Sequence, residues 1–411
     1  MLSSILTGTD WRRMEPTRST VRDLRRRSRS ALLKKLYFDG PLSRQELSQL
    51  TGLSVATVSN VIGELVEERL VVEAGLVDSD GGRPRVLLRV DPRYGNVVGI
   101  DVGETGVKVE LFDLAMARKA TVEHPLHAPR PDPAQVVALL AASLREVIAR
   151  AGVEESSVVG VGVGLPGTVE REPKVLVHAQ VIGWDAVPFE ELLRAAGVAL
   201  PLFFDNGAKT QGQAELWFGA ARGARHAVIA LVGSGVGAAV ITDGSTYQGA
   251  TSSAGEWGHT TIVYGGRTCR CGARGCLEAY VGAEAVLDRY REAGEDASFG
   301  DEQGSLARLI AAGTPVAAQV LSDTAGYLGA GIADLINLFN PERIVLGGWA
   351  GIALGSAMLP QIRAAAREHA LHRPFQRVTI EMCALGPDAV AFGAATLPVA
   401  AVLALGGVDA R

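Results

Sequence analysis

The chain has 411 residues, 40 Lys+Arg against 45 Asp+Glu, a net charge of −5, and 47% hydrophobic but only 5% aromatic residues. That length predicts two or three globular domains with ample chain for a large core, and no apolar run is long enough to span a membrane. The basic N-terminus lacks the apolar core and cleavage site of a secretory signal, and four cysteines at metal-type spacing fit a reducing cytoplasm.

Charge is unevenly spread. Residues 1–90 carry 15 Lys+Arg and 11 Asp+Glu, a balance of +4, whereas the remainder carries 25 and 34, a balance of −9. A basic head on an acidic body is consistent with a head that binds nucleic acid.

The spacing predicts a helix over Val21–Phe38, with Val21, Leu24, Ser28, Leu32 and Leu36 on one stripe and most of the basic residues elsewhere. Asp39-Gly40-Pro41 ends it. Ser43 and Glu46 form a capping-box pattern for a second helix reaching about Leu50. Thr51-Gly52-Leu53-Ser54 reads as a tight turn with an inward Leu53. A third helix then starts at Val55, with Val58, Ile62 and Leu65 facing inward. Helix, glycine-containing turn and helix form the helix-turn-helix plan, whose second helix enters the major groove by its N-terminal end. Ser54, Thr57, Ser59 and Asn60 sit at that end. Leu70–Glu73 and Arg85–Val90 read as strands around a loop over 78–85. In this winged arrangement Arg83 and Arg85 can reach a phosphate or the minor groove. Arg25 and Arg26 of the first helix add phosphate-facing charge. Residues 1–90 are therefore expected to be a winged helix-turn-helix unit that binds operator DNA.

The body, 91–411, opens with a strand over Val97–Ile100 leading into Asp101-Val-Gly103-Glu104-Thr105-Gly106, followed by a second strand over Val107–Phe112. Leu231-Val-Gly233-Ser-Gly235-Val-Gly237 and the strand Ala238–Thr242 repeat the plan. Two such units predict a duplicated α/β architecture with a nucleotide clamped between the turns, where backbone N–H groups meet phosphate. Asp101 could hold Mg²⁺ through water. No Walker A or Gly-Xaa-Gly-Xaa-Xaa-Gly sequence appears, and Ser234 lacks the setting of a nucleophile elbow.

Cys269, Cys271 and Cys276 lie within eight residues, and His259 precedes the first by ten. Thiolates and imidazole are the ligands of a closed tetrahedral Zn²⁺ site. Gly272 and Gly275 allow the backbone to curl around it, whereas a disulfide between Cys269 and Cys271 would be strained. Four protein ligands leave no open position, so such a zinc is structural. The apolar stretch Leu397–Gly407 reads as a packed helix.

With these motifs in place the body resembles the ROK family (repressors, open reading frames, sugar kinases) of the actin-like ATPase superfamily. The resemblance is carried by the first glycine turn, Leu165-Pro166-Gly167, Gly183-Trp184, the second glycine turn, and Glu256-Trp-Gly-His259. The cysteine motif ending in Glu278, Asn340-Pro341-Glu342 through Gly347-Gly348, and Gly386-Pro-Asp-Ala complete it. The winged head and Gly81-Gly82-Arg83-Pro84 are similar to the transcription-factor branch. The resemblance implies an α/β, two-lobed body, a zinc held by His259, Cys269, Cys271 and Cys276, and a sugar pocket using Asn206, Glu256, His259, Glu278 and Gln180. It implies nucleotide turns, here possible vestiges, at Asp101, Gly103, Thr105, Gly233, Gly235, Gly237, Gly347 and Gly348.

Three positions depart from the family's kinases. Aligning Asn206 with the kinase Asn places Gly207 where the catalytic Asp stands, and glycine cannot accept a proton. Asp205 is two residues off, a shift of roughly 6–7 Å along an extended chain, beyond the reach a general base needs. Glu104 places a carboxylate in the first phosphate turn, and Gln180 stands where an Asn meets the sugar. The expected protein is a cytoplasmic, sugar-sensing regulator, a homodimer or homotetramer, without catalytic residues. Two rival readings stay open: a bifunctional regulator that phosphorylates sugar with Asp205 as base, and a regulator controlled mainly by a protein partner.

Overall fold

The computed structural model describes residues 20–79, 82–126, 128, 130–171, 173–296 and 300–407. Helix α1 (Val21–Asp39) is capped by Thr20 and stops at Gly40. A two-residue strand β1 (Leu42–Ser43) leads into α2 (Arg44–Thr51), where Ser43 and Glu46 close the expected capping box. Gly52 ends α2 in the left-handed conformation, and Ser54 caps α3 (Val55–Glu67), which buries Val58, Val61, Ile62 and Leu65. Strands β2 (Val71–Ser79) and β3 (Gly82–Val90) pair antiparallel, with β1 on the other edge of β3. The wing is thus a long hairpin, because residues 78, 79 and 82–85 of the expected loop join the strands.

The expected stripe of α1 needs a correction. Leu32, Leu33 and Leu36 are buried, but Leu24 is 52% exposed. Only the C-terminal half of α1 packs into a core. Its first turns are held instead by the Arg25–Glu64 ion pair at 2.5 Å.

Two five-stranded sheets form the body. The first takes β4 (Asn96–Val102), β5 (Gly106–Asp113), β6 (Arg118–Pro125), β7 (Val158–Leu165) and β11 (Leu202–Asn206) in the order β11-β7-β4-β5-β6. Helix α4 (Pro133–Ala151) and α5 (Phe189–Ala195) cover its outer side. A small sheet of β8 (Thr168–Glu170), β9 (Leu176–Ala179) and β10 (Trp184–Val187) projects from it. Helix α6 (Gly207–Phe218) then leads to the second sheet, built from β12 (Ala227–Val232), β13 (Val236–Thr242), β14 (Ser245–Thr246), β15 (Arg343–Gly347) and β16 (Thr379–Met382). Its order, β14-β13-β12-β15-β16, repeats the first: an antiparallel meander of three strands, then two parallel strands beside the first. The duplication read from the glycine turns is therefore a duplication of topology. Helices α7 (Glu278–Val281), α8 (Ala283–Glu292), α9 (Glu302–Ala311), α10 (Pro315–Phe339) and α11 (Trp349–His369) share the core of this second lobe, with α12 (His372–Phe375) beside them. The chain ends in α13 (Ala389–Leu405), the packed helix expected near Leu397. Among the described residues, no helix is long and apolar enough to cross a membrane.

Helices α13 and α6 lie between the sheets at backbone contact. Gly99 of β4 and Gly162 of β7 are register partners, and a Cβ on either would overlap the carbonyl oxygen of Ala391 or Ala394 in α13. Gly393 of α13 faces the Thr210 carbonyl of α6, and Gly212 of α6 faces Ala239 of β13. The far end of this pair carries the N-terminal elements. Tyr37 and Phe38 of α1 pack edge-on against Trp217 and Phe218 at the end of α6, and Phe218 meets Phe392 of α13 at 5.4 Å. Arg29 Nε donates to the Gly406 carbonyl at 2.7 Å, and Arg222 donates to that of Phe38 at 3.1 Å.

Overpacking a close backbone approach costs about 1–3 kcal/mol. Gly162→Ala is expected to lower unfolding stability by that amount in chemical denaturation. Gly63→Ala, in open space within α3, is expected to raise stability by up to about 1 kcal/mol through helix propensity.

Candidate functional site

His259 ends a 3₁₀ turn (Trp257–His259) fixed to the second lobe by the Trp257 Nε1–H donating to the Gly331 carbonyl at 3.0 Å. The following loop folds on itself: Ile262 N–H donates to Gly275 O, Cys269 N–H to Ala273 O and Leu277 N–H to Thr260 O. Gly272 and Gly275 adopt positive φ of 88° and 84°. The result brings ligand atoms of His259, Cys269, Cys271 and Cys276 within 4.8 Å of one another. Cys271 and Cys276 Sγ are 3.8 Å apart, and Cys269 Sγ is 3.7 Å from His259 Nδ1. Tetrahedral Zn–S bonds of about 2.3 Å place two sulfurs ~3.8 Å apart, so the donor set fits that ion. Burial pushes the Cys269 and Cys276 thiols above their ordinary range, and a cation among them is what would favour thiolates. His259 turns Nδ1 to the thiols, which leaves Nε2 outside the set.

The candidate pocket residues do not all behave alike. Glu256 lies beside the cluster, and burial pushes its carboxyl above the usual range, with His259 and Lys209 opposing that shift. Glu278 is buried and turned inward. Its Oε2 accepts from Val236 N–H at 3.0 Å, and its Oε1 faces Cys269 Sγ at 3.6 Å and Arg270 at 3.5 Å. Asn206 caps α6: its Oδ1 accepts from Ala208 N–H at 2.8 Å, and its Nδ2 donates to Gly167 O at 2.6 Å. Gln180 is exposed in the turn before Gly183-Trp184.

Gly207 is the first residue of α6, and a Cβ there would sit in ordinary contact, 3.6 Å from Val390 Cγ1 and 3.7 Å from Leu165 O. Asp205 is only 5% exposed. Arg171 lies 2.5 Å from its Oδ2, Gln248 Nε2 donates to the same oxygen at 3.2 Å, and Oδ1 accepts from Asn206 N–H. Sequence reasoning missed Arg171, Lys209 and Gln248. Lys209 is buried and donates to Gln248 Oε1 at 2.9 Å and to Ser252 O at 2.5 Å. Burial lowers its pKa. A basic residue three positions past Asn206, on the inner face of a helix start, was the available signal.

Each glycine turn is closed by its own backbone hydrogen bond, Gly103 N–H to Gly106 O at 2.9 Å in the first and the tighter Gly233 N–H to Gly235 O at 2.8 Å in the second. Thr105 is exposed, and its carbonyl accepts from Leu126 N–H. Gly237 is the second residue of β13, opposite Leu231. Gly347 ends β15, and Gly348, at φ 78°, precedes α11, whose Trp349 indole packs on Gly233. Burial pushes the Asp101 carboxyl up to about 7, with Lys108 opposing. Arg270, also missed in the sequence, joins the turns: Nη1 donates to Glu104 Oε2 at 2.6 Å and Nη2 to the Ser234 carbonyl at 2.9 Å.

At the helix-turn-helix, the Ser54 hydroxyl accepts from Thr57 N–H at 3.1 Å and meets the Thr57 hydroxyl at 2.9 Å, so both take part in the cap. Ser59 and Asn60 are exposed on the next turn, and Arg85 is exposed on β3. The side chain of Arg83 lies outside the described residues. Arg25 pairs with Glu64 while its side chain stays 61% exposed. Arg29 is likewise held by Glu64 and Glu68. Arg26 stays half exposed, 4.0 Å from Asp23.

This geometry coincides with known proteins over most of the chain. A xylose repressor of Caldicellulosiruptor bescii is 30% identical over 382 residues, 90% of this chain and 95% of the repressor. A ROK-family transcriptional regulator, a homologue of the E. coli Mlc protein, superposes with a TM-score of 0.79 at 26% identity, covering 93% of this chain and 98% of its own. A ROK-family glucokinase from Streptomyces griseus, solved with glucose and AMPPNP, superposes at 0.64 and 26% identity over 74% of this chain and 99% of its own. The sequence pattern of the ROK family matches residues 97–400, and the chain belongs to that family.

Proposed function

We propose that this chain is a cytoplasmic DNA-binding repressor of carbohydrate metabolism, in which residues 1–90 read the operator and residues 91–411 sense a sugar or sugar-derived metabolite. The observation that carries the reading is a winged helix-turn-helix joined to a kinase-like body whose α6 begins with glycine where a general base is needed. Relatives matched over nearly full length are a xylose repressor and a ROK-family transcriptional regulator. The glucokinase match covers 74% of this chain, and the glucose bound to that protein supports a sugar-binding role for the body.

The effector would lie near Asn206, Glu256, His259 Nε2 and Lys209. Glu278 would act from behind, fixing the second glycine turn and the cysteine loop. His259, Cys269, Cys271 and Cys276 would hold one Zn²⁺, which braces the loop and leaves no open coordination position. Helix α6 would carry the signal, since its first turn lines the cleft and its last residues pack on α1. An effector shifts this equilibrium only through unequal affinity for the DNA-competent and DNA-incompetent arrangements. A homo-oligomer would present two heads to two half-sites.

Asp205 is a poor substitute base, because its carboxylate is committed to Arg171, Gln248 and a backbone N–H. No phosphorylation of hexose, hexosamine or pentose above background is expected, since loss of a general base costs ~10²–10⁴ in rate. Gly207→Asp with Glu104→Gly is expected to restore measurable turnover in a coupled assay. ATP-dependent phosphorylation by the unaltered chain, abolished by Asp205→Ala, would overturn the reading.

Elemental analysis is expected to find about one zinc per chain, and Cys271→Ser to lose it together with the sugar response while operator binding persists. In salt-titrated binding assays, Asn60→Ala is expected to alter base preference. Arg85→Ala should weaken all sequences alike and reduce the salt slope by about 1. Arg25→Ala should lower stability and leave that slope nearly unchanged. Titrating the protein–operator complex with sugars and phosphosugars tests the whole reading: release by none of them would exclude sugar sensing.

A further inference from the structure

The two glycine turns are joined by a contact that neither turn motif contains. Glu104 leaves the β4–β5 turn of the first lobe and meets Arg270, which leaves the cysteine loop of the second. The pair is bidentate, 2.6 Å from Nη1 to Oε2 and 3.3 Å from Nη2 to Oε1. The same Nη2 donates to the Ser234 carbonyl at 2.9 Å, inside the second turn. Glu104 Oε1 lies so close to Gly235 that a Cβ there would stand 3.0 Å from it. A fork of guanidinium N–H groups recognises carboxylate and phosphate oxygens by the same geometry.

We infer that Glu104 is a built-in occupant of the phosphate clamp: its carboxylate stands where a nucleotide phosphate would bridge the turns, excludes polyphosphate, and latches the lobes together through Arg270. This rests on the reading of the body as a sensor, and deepens it by assigning the residue that decides against nucleotides. The surroundings agree. The Ser234 hydroxyl donates to Glu302 Oε2 at 2.5 Å, and Glu278 and Glu284 line the small cavity beside Arg270. An incoming phosphate would meet the carboxylates of Glu104, Glu278, Glu284, Asp288 and Glu302 and two guanidinia already paired, Arg270 with Glu104 and Arg267 with Glu292. A bridge that a bound phosphate would supply from outside is here part of the chain.

The test uses the full-length protein and the variants Glu104→Gln, Glu104→Gly, Arg270→Gln and the exchange Glu104→Arg/Arg270→Glu, each checked for a cooperative melt and zinc content. Amide hydrogen exchange is expected to quicken at 103–106 and 233–237 in Glu104→Gln and Arg270→Gln, and to slow again in the exchange variant. Calorimetry with Mg²⁺·AMPPNP and with tripolyphosphate is expected to give at least about tenfold tighter binding to Glu104→Gly than to the unaltered protein, lost again in Glu104→Gly/Arg270→Gln. Unchanged exchange in both single variants, or equal polyphosphate binding with and without Glu104, would overturn the inference. Operator binding and its release by sugar are followed in parallel. If they persist while these effects fail, only the latch falls; if the unaltered protein transfers phosphate to a sugar, the sensor reading falls with it.

Discussion

Everything in this molecule hangs on two helices that pass between two sheets with their backbones nearly touching. Gly99 and Gly162 let α13 rest on the first sheet, Gly393 lets α13 rest on α6, and Gly212 lets α6 rest on the second sheet. Backbone atoms make the α13 contacts and a single methyl, that of Ala239, makes the contact of α6, so either helix can slide very little relative to the sheet it touches. Close-packed interiors transmit displacement because they cannot absorb it. The lobes can therefore rock about this stack, but they cannot loosen from it locally.

The cleft at one side of the stack is rich in paired charge. Arg171 and Lys209 bring two cations to the neighbourhood of Asp205. These groups also cross the cleft. Arg171 and Asp205 belong to the first lobe, Gln248 and Ser252 to the loop after β14, and Lys209 to α6 between them. A buried polar web whose members satisfy one another is rigid and specifies a small number of arrangements.

Much of this was legible in the sequence because the signals were local. The Ser43–Glu46 capping box, the left-handed Gly52 between α2 and α3, the paired glycine turns and the cysteine spacing each depend on residues close in the chain. Other features are set by distant partners. Leu24 follows the helical period, yet among the described residues nothing packs over the start of α1. Arg25 and Arg29 count as basic charge in any window, but Glu64 and Glu68 of α3 claim them. Glu278 belongs to the motif that implies sugar contact, and tertiary packing turns it toward Val236 and Arg270 instead. Arg270 looked like a spacer between two cysteines, and its partner lies 166 positions earlier.

Helix α13 can also be considered as a lever. Asp388, at its start, is gripped by Lys108 and Arg118 of the first lobe at 2.6 and 2.9 Å. At its other end, Gly406 accepts from Arg29 of the N-terminal helix. Seventeen residues at 1.5 Å each make an arm of about 25 Å. A ~5° tilt of α13 together with the sheet it rests on, about the Asp388 end, would carry the Arg29 end sideways by ~2 Å relative to the second lobe, and hydrogen bonds to base edges fail over a smaller distance than that. A few degrees of lobe motion, too slight to register as a change of fold, is then enough mechanical output to shift the helix-turn-helix against DNA.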